Sequence, residues 1–430
     1  MQAFNHDQKK AAGVLLCVIG FWFYCQSAID IGFLSATRND FAHLYLAGYL
    51  AERTGDFFNA KLMLSTHRHL QIPSGLNPFV YPPFFALILI PLSQFSYSTA
   101  WILFSLLSHA AYFAALAILV RLIRHEDEPA VFWWGILLAL SACFYPLMKT
   151  YSAGQMNTFM LLVIAGGAYL LAAKREIAAG ILFGLGAAIK ITPAFFLLYC
   201  CWTKRWRAAA SGAAVILVSV LISLCVMGVE VHQGFLSMAK EMGYGSSTWA
   251  QYKQTYHVDP FNQAPSAMWS RLLTRTETAQ FGVIEGIADL PRLARILSYL
   301  TAASIFFFLL YASRRDERPF SLTEYSLWSI GMLLLPSLLW DHYLIQAMLA
   351  VAVGLRTAIS GKARGVFWLG MAVAILAIPF RHHLPLFRQG WMTLIMSIKL
   401  AGLILLAAWL VRHKNAENEC IPDKNSLENI

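Results

Sequence analysis

The chain has 430 residues, 58% of them hydrophobic and only 13% charged, where a soluble globular protein carries about 25% charged residues. That balance excludes a cytoplasmic enzyme, a disordered chain and a disulfide-stapled secreted module. The formal net charge of +10 reads as the Lys/Arg bias of a membrane protein's cytoplasmic loops, and no basic run interleaved with aromatics suggests a nucleic-acid partner.

Apolar blocks give candidate spans at 11–29, 82–97, 98–122, 130–148, 156–173, 177–202, 207–228, 293–312, 321–340, 342–358, 365–380 and 391–411. Residues 69–120 contain no Asp, Glu, Lys or Arg, which leaves room for two crossings of about 20 residues each. The expected fold is all-α: a polytopic transmembrane helical bundle of about 12 spans, some of them short or broken. The integral domain is expected over 1–412, with a polar cytoplasmic tail at 413–430. The first block follows Lys9 and Lys10 as a signal peptide would, but it lacks a small-residue cleavage site and reads as a retained helix.

Lys9/Lys10, Lys204/Arg205/Arg207, Arg314/Arg315/Arg318, Lys362/Arg364 and Arg412/Lys414 mark the cytoplasmic side. Twelve alternating spans then put both termini inside and the long loops, 30–81 and 229–291, outside. Strict alternation also puts Arg121, Arg124, Lys174 and Arg175 outside, against the bias. Lys190 and Pro193 sit in the middle of 177–202, and Pro breaks a helix. This stretch therefore reads as two half-helices meeting near the outer face. In the first outer loop, 40–52 places Phe41, Leu44, Tyr45 and Tyr49 at helical spacing, as in a helix lying on the membrane surface. Tyr81-Pro82-Pro83 opens the next span, with proline at first-turn positions.

Few ionisable groups lie near the outer face. Asp40 is either a general base acting on a hydroxyl or a helix cap. Lys190, inside an apolar stretch, suits a phosphate or snorkels to a headgroup. Asp341-His342 follows Trp340 and either contacts substrate or forms an interfacial pair beside an anchoring Trp. Gln155 and Asn157 either bind a sugar or satisfy a bent backbone. Asn262, Gln263 and Arg271 either hold a phosphate or belong to the loop surface. His382 and His383 read as solvated or facing headgroups. The seven cysteines show no zinc spacing, and there is no P-loop or dinucleotide fingerprint. No metal or cofactor is called for.

These residues occur in a recognisable order. Asp40 precedes Tyr81-Pro82-Pro83, Gly154-Gln155-x-Asn157 and Ala179-Gly-x-Leu-x-Gly-Leu-x-x-Ala-x-Lys190-x-x-Pro193. Lys204-Arg-Trp-Arg207, Asn262-Gln263 leading to Arg271, and Trp340-Asp341-His342 follow. The series resembles glycosyltransferase family 87, the polyprenyl-phosphate-mannose-dependent mannosyltransferases of the C-type membrane superfamily, over about residues 10–412.

The resemblance implies a GT-C-like fold and a reaction on the outer face of the cytoplasmic membrane, among membrane lipids. The donor would be a polyprenyl-phosphate sugar, usually mannose, and the acceptor a lipid-linked or glycan hydroxyl. Asp40 would be the base and His342 a second catalytic residue. Lys190, Arg271, Asp341, Gln155, Asn157, Asn262, Gln263 and Tyr81 would contact the donor phosphate or substrate. A flippase for a lipid-linked sugar, or a transferase of arabinofuranose or aminoarabinose, is the alternative.

Overall fold

The computed structural model describes residues 5–53, 55–245, 248–249, 252, 254–313, 320–360 and 364–414. The expected basic cluster at 314–318, Lys362, and the tail from 415 onward lie outside the described residues.

Helix α1 (His6–Ile29) starts at a reciprocal cap: Asn5 Oδ1 accepts from Gln8 N at 2.8 Å, and Gln8 Oε1 from Asn5 N at 3.0 Å. A π-helical turn, Asp30–Leu34, extends it. The first loop carries α2 (Asn39–Arg53), α3 (Ala60–His69) and the short α4 (Pro83–Ser93). Next come α5 (Tyr97–Ile123), α6 (Ala130–Cys143), which bends by 64° into α7 (Tyr145–Ala153), and then α8 (Asn157–Ala172), α9 (Glu176–Ile189), α10 (Phe195–Trp202) and α11 (Trp206–Glu241). The second loop holds an antiparallel pair, β1 (Thr248–Trp249) with β2 (Gln254–Thr255), then α12 (Pro265–Leu273). A hairpin of β3 (Arg275–Thr278) and β4 (Gly282–Glu285) completes it. Helices α13 (Pro291–Ala312), α14 (Leu322–Leu334), α15 (Met348–Ile359), α16 (Val366–Ala377) and α17 (Ile398–His413) close the chain.

Among the described residues, six helices are long and apolar enough to cross a membrane, or seven if the bent α6–α7 pair is one span. Five shorter apolar helices accompany them. Small residues let these helices pack without a hydrophobic drive between them. A Cβ on Gly13 would lie 2.6 Å from Phe132 Cα, and one on Gly20 2.6 Å from Ala139 N, so α1 lies backbone to backbone on α6. The other face of α1, with Val14, Leu15, Val18 and Trp22, is exposed, as a lipid-facing surface would be.

Two of the twelve expected spans do not cross the bundle. Helix α9 ends at Lys190, whose backbone is extended, and the chain turns through Thr192–Ala194 into α10. Glu176 and Arg205, at the ends of this pair away from Lys190, meet at 3.4 Å. The segment therefore enters and leaves at one end of the bundle, with Lys190 at its apex. Helix α4 has 11 residues, about 16 Å at 1.5 Å per residue, too short for a bilayer core of about 30 Å. Its far flank is tied back to α2, where Tyr45 bonds the Phe95 carbonyl at 2.9 Å, and its near flank to the turn before α8, where Tyr81 bonds Gln155 at 2.9 Å.

With those two removed, Arg121, Arg124, Lys174 and Arg175 fall at the same end as the basic clusters among the described residues. Contacts at that end agree: Lys9 pairs with Glu128 at 2.5 Å, Arg356 reaches the Leu122 carbonyl at 3.5 Å, and Lys414 pairs with Glu324 at 2.7 Å. On a cysteine-free background, Arg124→Cys and Arg175→Cys are expected to react with an impermeant maleimide from the same side as Lys10→Cys, and Gln94→Cys from the other. Labelling of Arg175→Cys from the Gln94 side would contradict the re-entrant pair.

Helix α2 forms where expected but does not lie open on a surface. Ten of its 15 residues are buried, Asp40 through Gly48 and Leu50. Gly48 is the reason on one side: a Cβ there would sit 2.6 Å from the Leu89 carbonyl oxygen, so α4 lies directly on it. Aromatic packing covers another side, with Phe41 against Tyr97, Trp101 and Phe104. Helix α11 changes direction at Gly228, whose φ of 78° suits glycine, and this separates the span from the second loop.

Candidate active site

The loops at the end opposite the basic clusters enclose a cavity of about 700 Å³. Its walls come from α2 and residues 77–80, from α7, from the second loop, from residues 338–343, and from Pro379, Phe380, Arg381 and His383. Asp40, in the first turn of α2, is 6% exposed and lines this cavity. Its Oδ1 accepts from Asn77 Nδ2 at 2.6 Å, and His43 Nδ1, one turn on, lies 3.9 Å away. Gln155 also hydrogen-bonds Asp40, while its own Oε1 accepts from the Tyr81 hydroxyl.

Burial alone would raise the Asp40 carboxyl. The pull of the His43 and His342 rings when charged and the bonds from Asn77 and Gln155 outweigh it, and the pKa lies below the ordinary carboxylate value. Burial pulls His43 down to about 4, against the opposing pull of Asp40. With His43 neutral at neutral pH, the amide bonds hold the Asp40 charge, and Lys190 is near enough to add to it. Asp40 is thus an ionised carboxylate in a largely dry wall, able to take a proton.

Beneath it, three distant segments meet on Asn157, the first residue of α8. Lys190 Nζ donates to Asn157 Oδ1 at 2.9 Å, as does Gln346 Nε2 at 3.1 Å. Asn157 Nδ2 donates to the His342 carbonyl at 3.1 Å, which also accepts from Thr150 Oγ1 at 2.9 Å. Lys190 Nζ lies 3.6 Å from the centre of the Tyr343 ring, a cation–π contact. These bonds fix the re-entrant apex against the turn that presents Asp341 and His342 to the cavity. The His342 Nε2 is buried without a partner.

The structure thus brings together Asp40, Tyr81, Gln155, Asn157, Lys190, Asp341 and His342. Arg271, Asn262 and Gln263 stand apart from the cavity wall. Arg271 is fully buried and donates to the carbonyls of Asp259 and Asn262 at 2.6 and 2.9 Å, and to Ser397 Oγ at 2.6 Å. Asn262 ties the loop to the Ser337 carbonyl and Leu339 amide, and Gln263 ties it to the Met396 carbonyl and Lys399 amide. Each of the three holds the second loop onto the bundle. His382, expected to be solvated, is fully buried instead.

Several wall residues carry no strong sequence signal. Asn77 is a lone amide in an aperiodic loop. Lys149 and Arg381 are basic side chains of the wall. His43 could have been found from its place one turn after Asp40. Asp259 is a second carboxyl: burial raises it to about 7, against the Phe261 amide bond and the Arg271 charge. Among the described residues no group of three His, Cys, Asp or Glu could hold a metal ion.

Fold and site together define a polytopic helical membrane protein whose polar cavity opens among its loops and presents the Asp40 carboxylate beside basic groups. The family profile of glycosyltransferase family 87 matches residues 79–337, more than half the chain. The chain belongs to glycosyltransferase family 87. It is 28% identical over 319 residues to a Mycobacterium tuberculosis protein named polyprenol-phosphate-mannose-dependent alpha-(1-2)-phosphatidylinositol pentamannoside mannosyltransferase, covering 72% of this chain and 66% of the relative. A protein of the same name from Mycolicibacterium smegmatis is 28% identical over 321 residues, 72% of this chain and 69% of the relative. The chain thus spans just under two thirds of the first relative's length. A phosphatidylinositol mannoside mannosyltransferase of Mycobacterium tuberculosis is 27% identical over 162 residues, 35% of this chain and 38% of the relative. No solved structure matches with significance.

Proposed function

We propose that this protein transfers a mannosyl group from a polyprenyl-phosphate donor to a hydroxyl of a lipid-linked acceptor, on the face of the membrane away from the basic clusters. The observation that carries the reading is the ionised Asp40 carboxylate in a cavity whose other walls supply cations. Asp40 takes the proton of the acceptor hydroxyl as that oxygen bonds to the sugar's anomeric carbon. The bond from that carbon to the phosphate oxygen breaks, and its electron pair leaves with the polyprenyl phosphate. A single displacement inverts the anomeric carbon.

Charge grows on the leaving phosphate, and preorganised donors there lower the barrier most. Lys149, Arg381 and the unpartnered His342 ring line the cavity and are placed for it, with the Lys190 charge behind them on Asn157. Arg271 is not among them, because its nitrogens serve backbone carbonyls. The relatives' names support the donor and a phosphatidylinositol mannoside-type acceptor. The clustering of Lys and Arg at the far end of the bundle supports an outward cavity, by the positive-inside bias.

The pH profile of transfer tests the base. Because the Asp40 pKa is depressed, its basic form persists above the ordinary carboxylate value of about 3.9, and kcat/KM is expected to fall only as pH drops below that. An acid limb near pH 7, abolished by Asp259→Asn, would assign the base to Asp259 instead, whose carboxyl titrates at about 7.

A further inference from the structure

A second acid–imidazole pair reaches the same cavity through its acid, Asp341, and the transfer step above leaves it unused. Asp341 Oδ2 lies 3.3 Å from His382 Nε2, with His382 fully buried. His382 Nδ1 lies 2.9 Å from the Met396 carbonyl oxygen. A carbonyl only accepts, so Nδ1 carries a proton. The neighbouring Gln263 Nε2 already donates to the Met396 and Pro260 carbonyls at 2.8 and 3.2 Å. His382 Nε2 makes no hydrogen bond, and its approach to Asp341 Oδ2 is a contact at ion-pair distance. The Phe261 and Phe380 rings flank His382 at 5.8 and 4.9 Å and keep water away. Lys399, the other charge near Asp341, is engaged with the carbonyls of Ile375, Leu376 and Ile378 at the end of α16.

His382 thus faces one oxygen of Asp341, Oδ2, at 3.3 Å. The Asp341 Oδ1 is buried with no hydrogen-bond partner, in a side chain 6% exposed that lines the cavity. An unsatisfied buried carboxylate oxygen is costly, and a bound donor relieves it. A carboxylate repels a phosphate, so the ligand it suits is a neutral hydroxyl. We infer that Asp341 Oδ1 accepts a hydrogen bond from a sugar hydroxyl, and that His382 is the positioning residue that fixes Asp341 for it. This rests on the transferase reading and deepens it, since it places a sugar rather than the phosphate against Asp341. The hydroxyl belongs to the donor sugar or to the acceptor sugar, and the two sources separate experimentally.

The test uses full-length protein in nanodiscs, with binding of polyprenyl-phosphate mannose and of bare polyprenyl phosphate measured separately. Transfer kinetics use a phosphatidylinositol mannoside as acceptor. If the donor sugar is read, Asp341→Asn lowers affinity for the mannosyl lipid about tenfold relative to the bare lipid phosphate. If the acceptor sugar is read, that ratio holds and the acceptor KM rises about tenfold instead. His382→Phe should give the same change in weaker form, and His382→Gln, which keeps an N–H donor, should restore it. Equal loss of both lipids, or no change in either the ratio or the acceptor KM, overturns the inference. Wild-type protein that binds bare polyprenyl phosphate but shows no transfer from the mannosyl lipid would overturn the transferase reading itself.

Discussion

Asp40→Asn is expected to lower transfer by about 10²- to 10⁴-fold, the usual contribution of a positioned general base. Donor affinity should stay within about threefold, because the lost function is proton removal rather than ground-state binding. The substitution keeps shape and keeps the Asn77 bond, since the Asn side-chain oxygen still accepts at the position of Oδ1. It removes only the charge and the ability to hold a proton. Asp40→Glu moves the carboxylate along α2 toward a neighbourhood packed by His43 and Tyr81, and should recover little. Assayed in the same membranes with folding checked by thermal midpoint, full transfer by Asp40→Asn would remove Asp40 from the base role.

Lys190→Met is expected to cost about 10²- to 10³-fold in transfer, the size found when one preorganised donor to developing charge is removed. Methionine fills the volume and lies as well against the Tyr343 ring. Replacing a buried charge by an apolar group of similar size is often tolerated, and Asn157 keeps its bonds to Gln346 and the His342 carbonyl. The variant should therefore fold and fail in chemistry. Lys399→Met provides the contrast. Lys399 is also fully buried in an apolar helix, but its ammonium caps carbonyls at the C-terminal end of α16, so its loss should show in thermal stability and leave kcat near wild type. Equal behaviour of the two variants would contradict the separation of roles.

That contrast shows where the sequence stops being informative. Both lysines carry the same signal, a charge inside an apolar run, and only the partners tell a site residue from a helix cap. Every expected span has a helix or bent pair at its position, because a bilayer enforces long apolar blocks whatever the tertiary packing. The re-entrant nature of 177–202 was half visible in Lys190 and Pro193. The Glu176–Arg205 contact, which fixes its return, pairs residues from different helix ends and leaves no local trace.

Asp40, Lys190 and Asp341-His342 stood out because ionisable groups are few near the outer loops. Arg271, Asn262 and Gln263 stood out for the same reason, yet their partners are backbone carbonyls of a buried loop, which no spacing reveals. The burial of α2 was missed because spacing identifies one apolar face and says nothing of what covers the others. Gly48 was the available sign, since a helix that admits another backbone at contact distance is not lying free.

The proposed reaction breaks the bond between a sugar and a polyprenyl phosphate and makes a new one to a lipid-linked hydroxyl. The direct measurement uses purified protein in liposomes with polyprenyl-phosphate mannose labelled in the sugar and a phosphatidylinositol mannoside as acceptor. The expected result is label appearing in the glycolipid, with polyprenyl phosphate released in equal amount, and neither change with Asp40→Asn. Label that stays on the polyprenyl lipid while passing from one leaflet to the other, in wild type and Asp40→Asn alike, would make the protein a flippase and rule out the transfer.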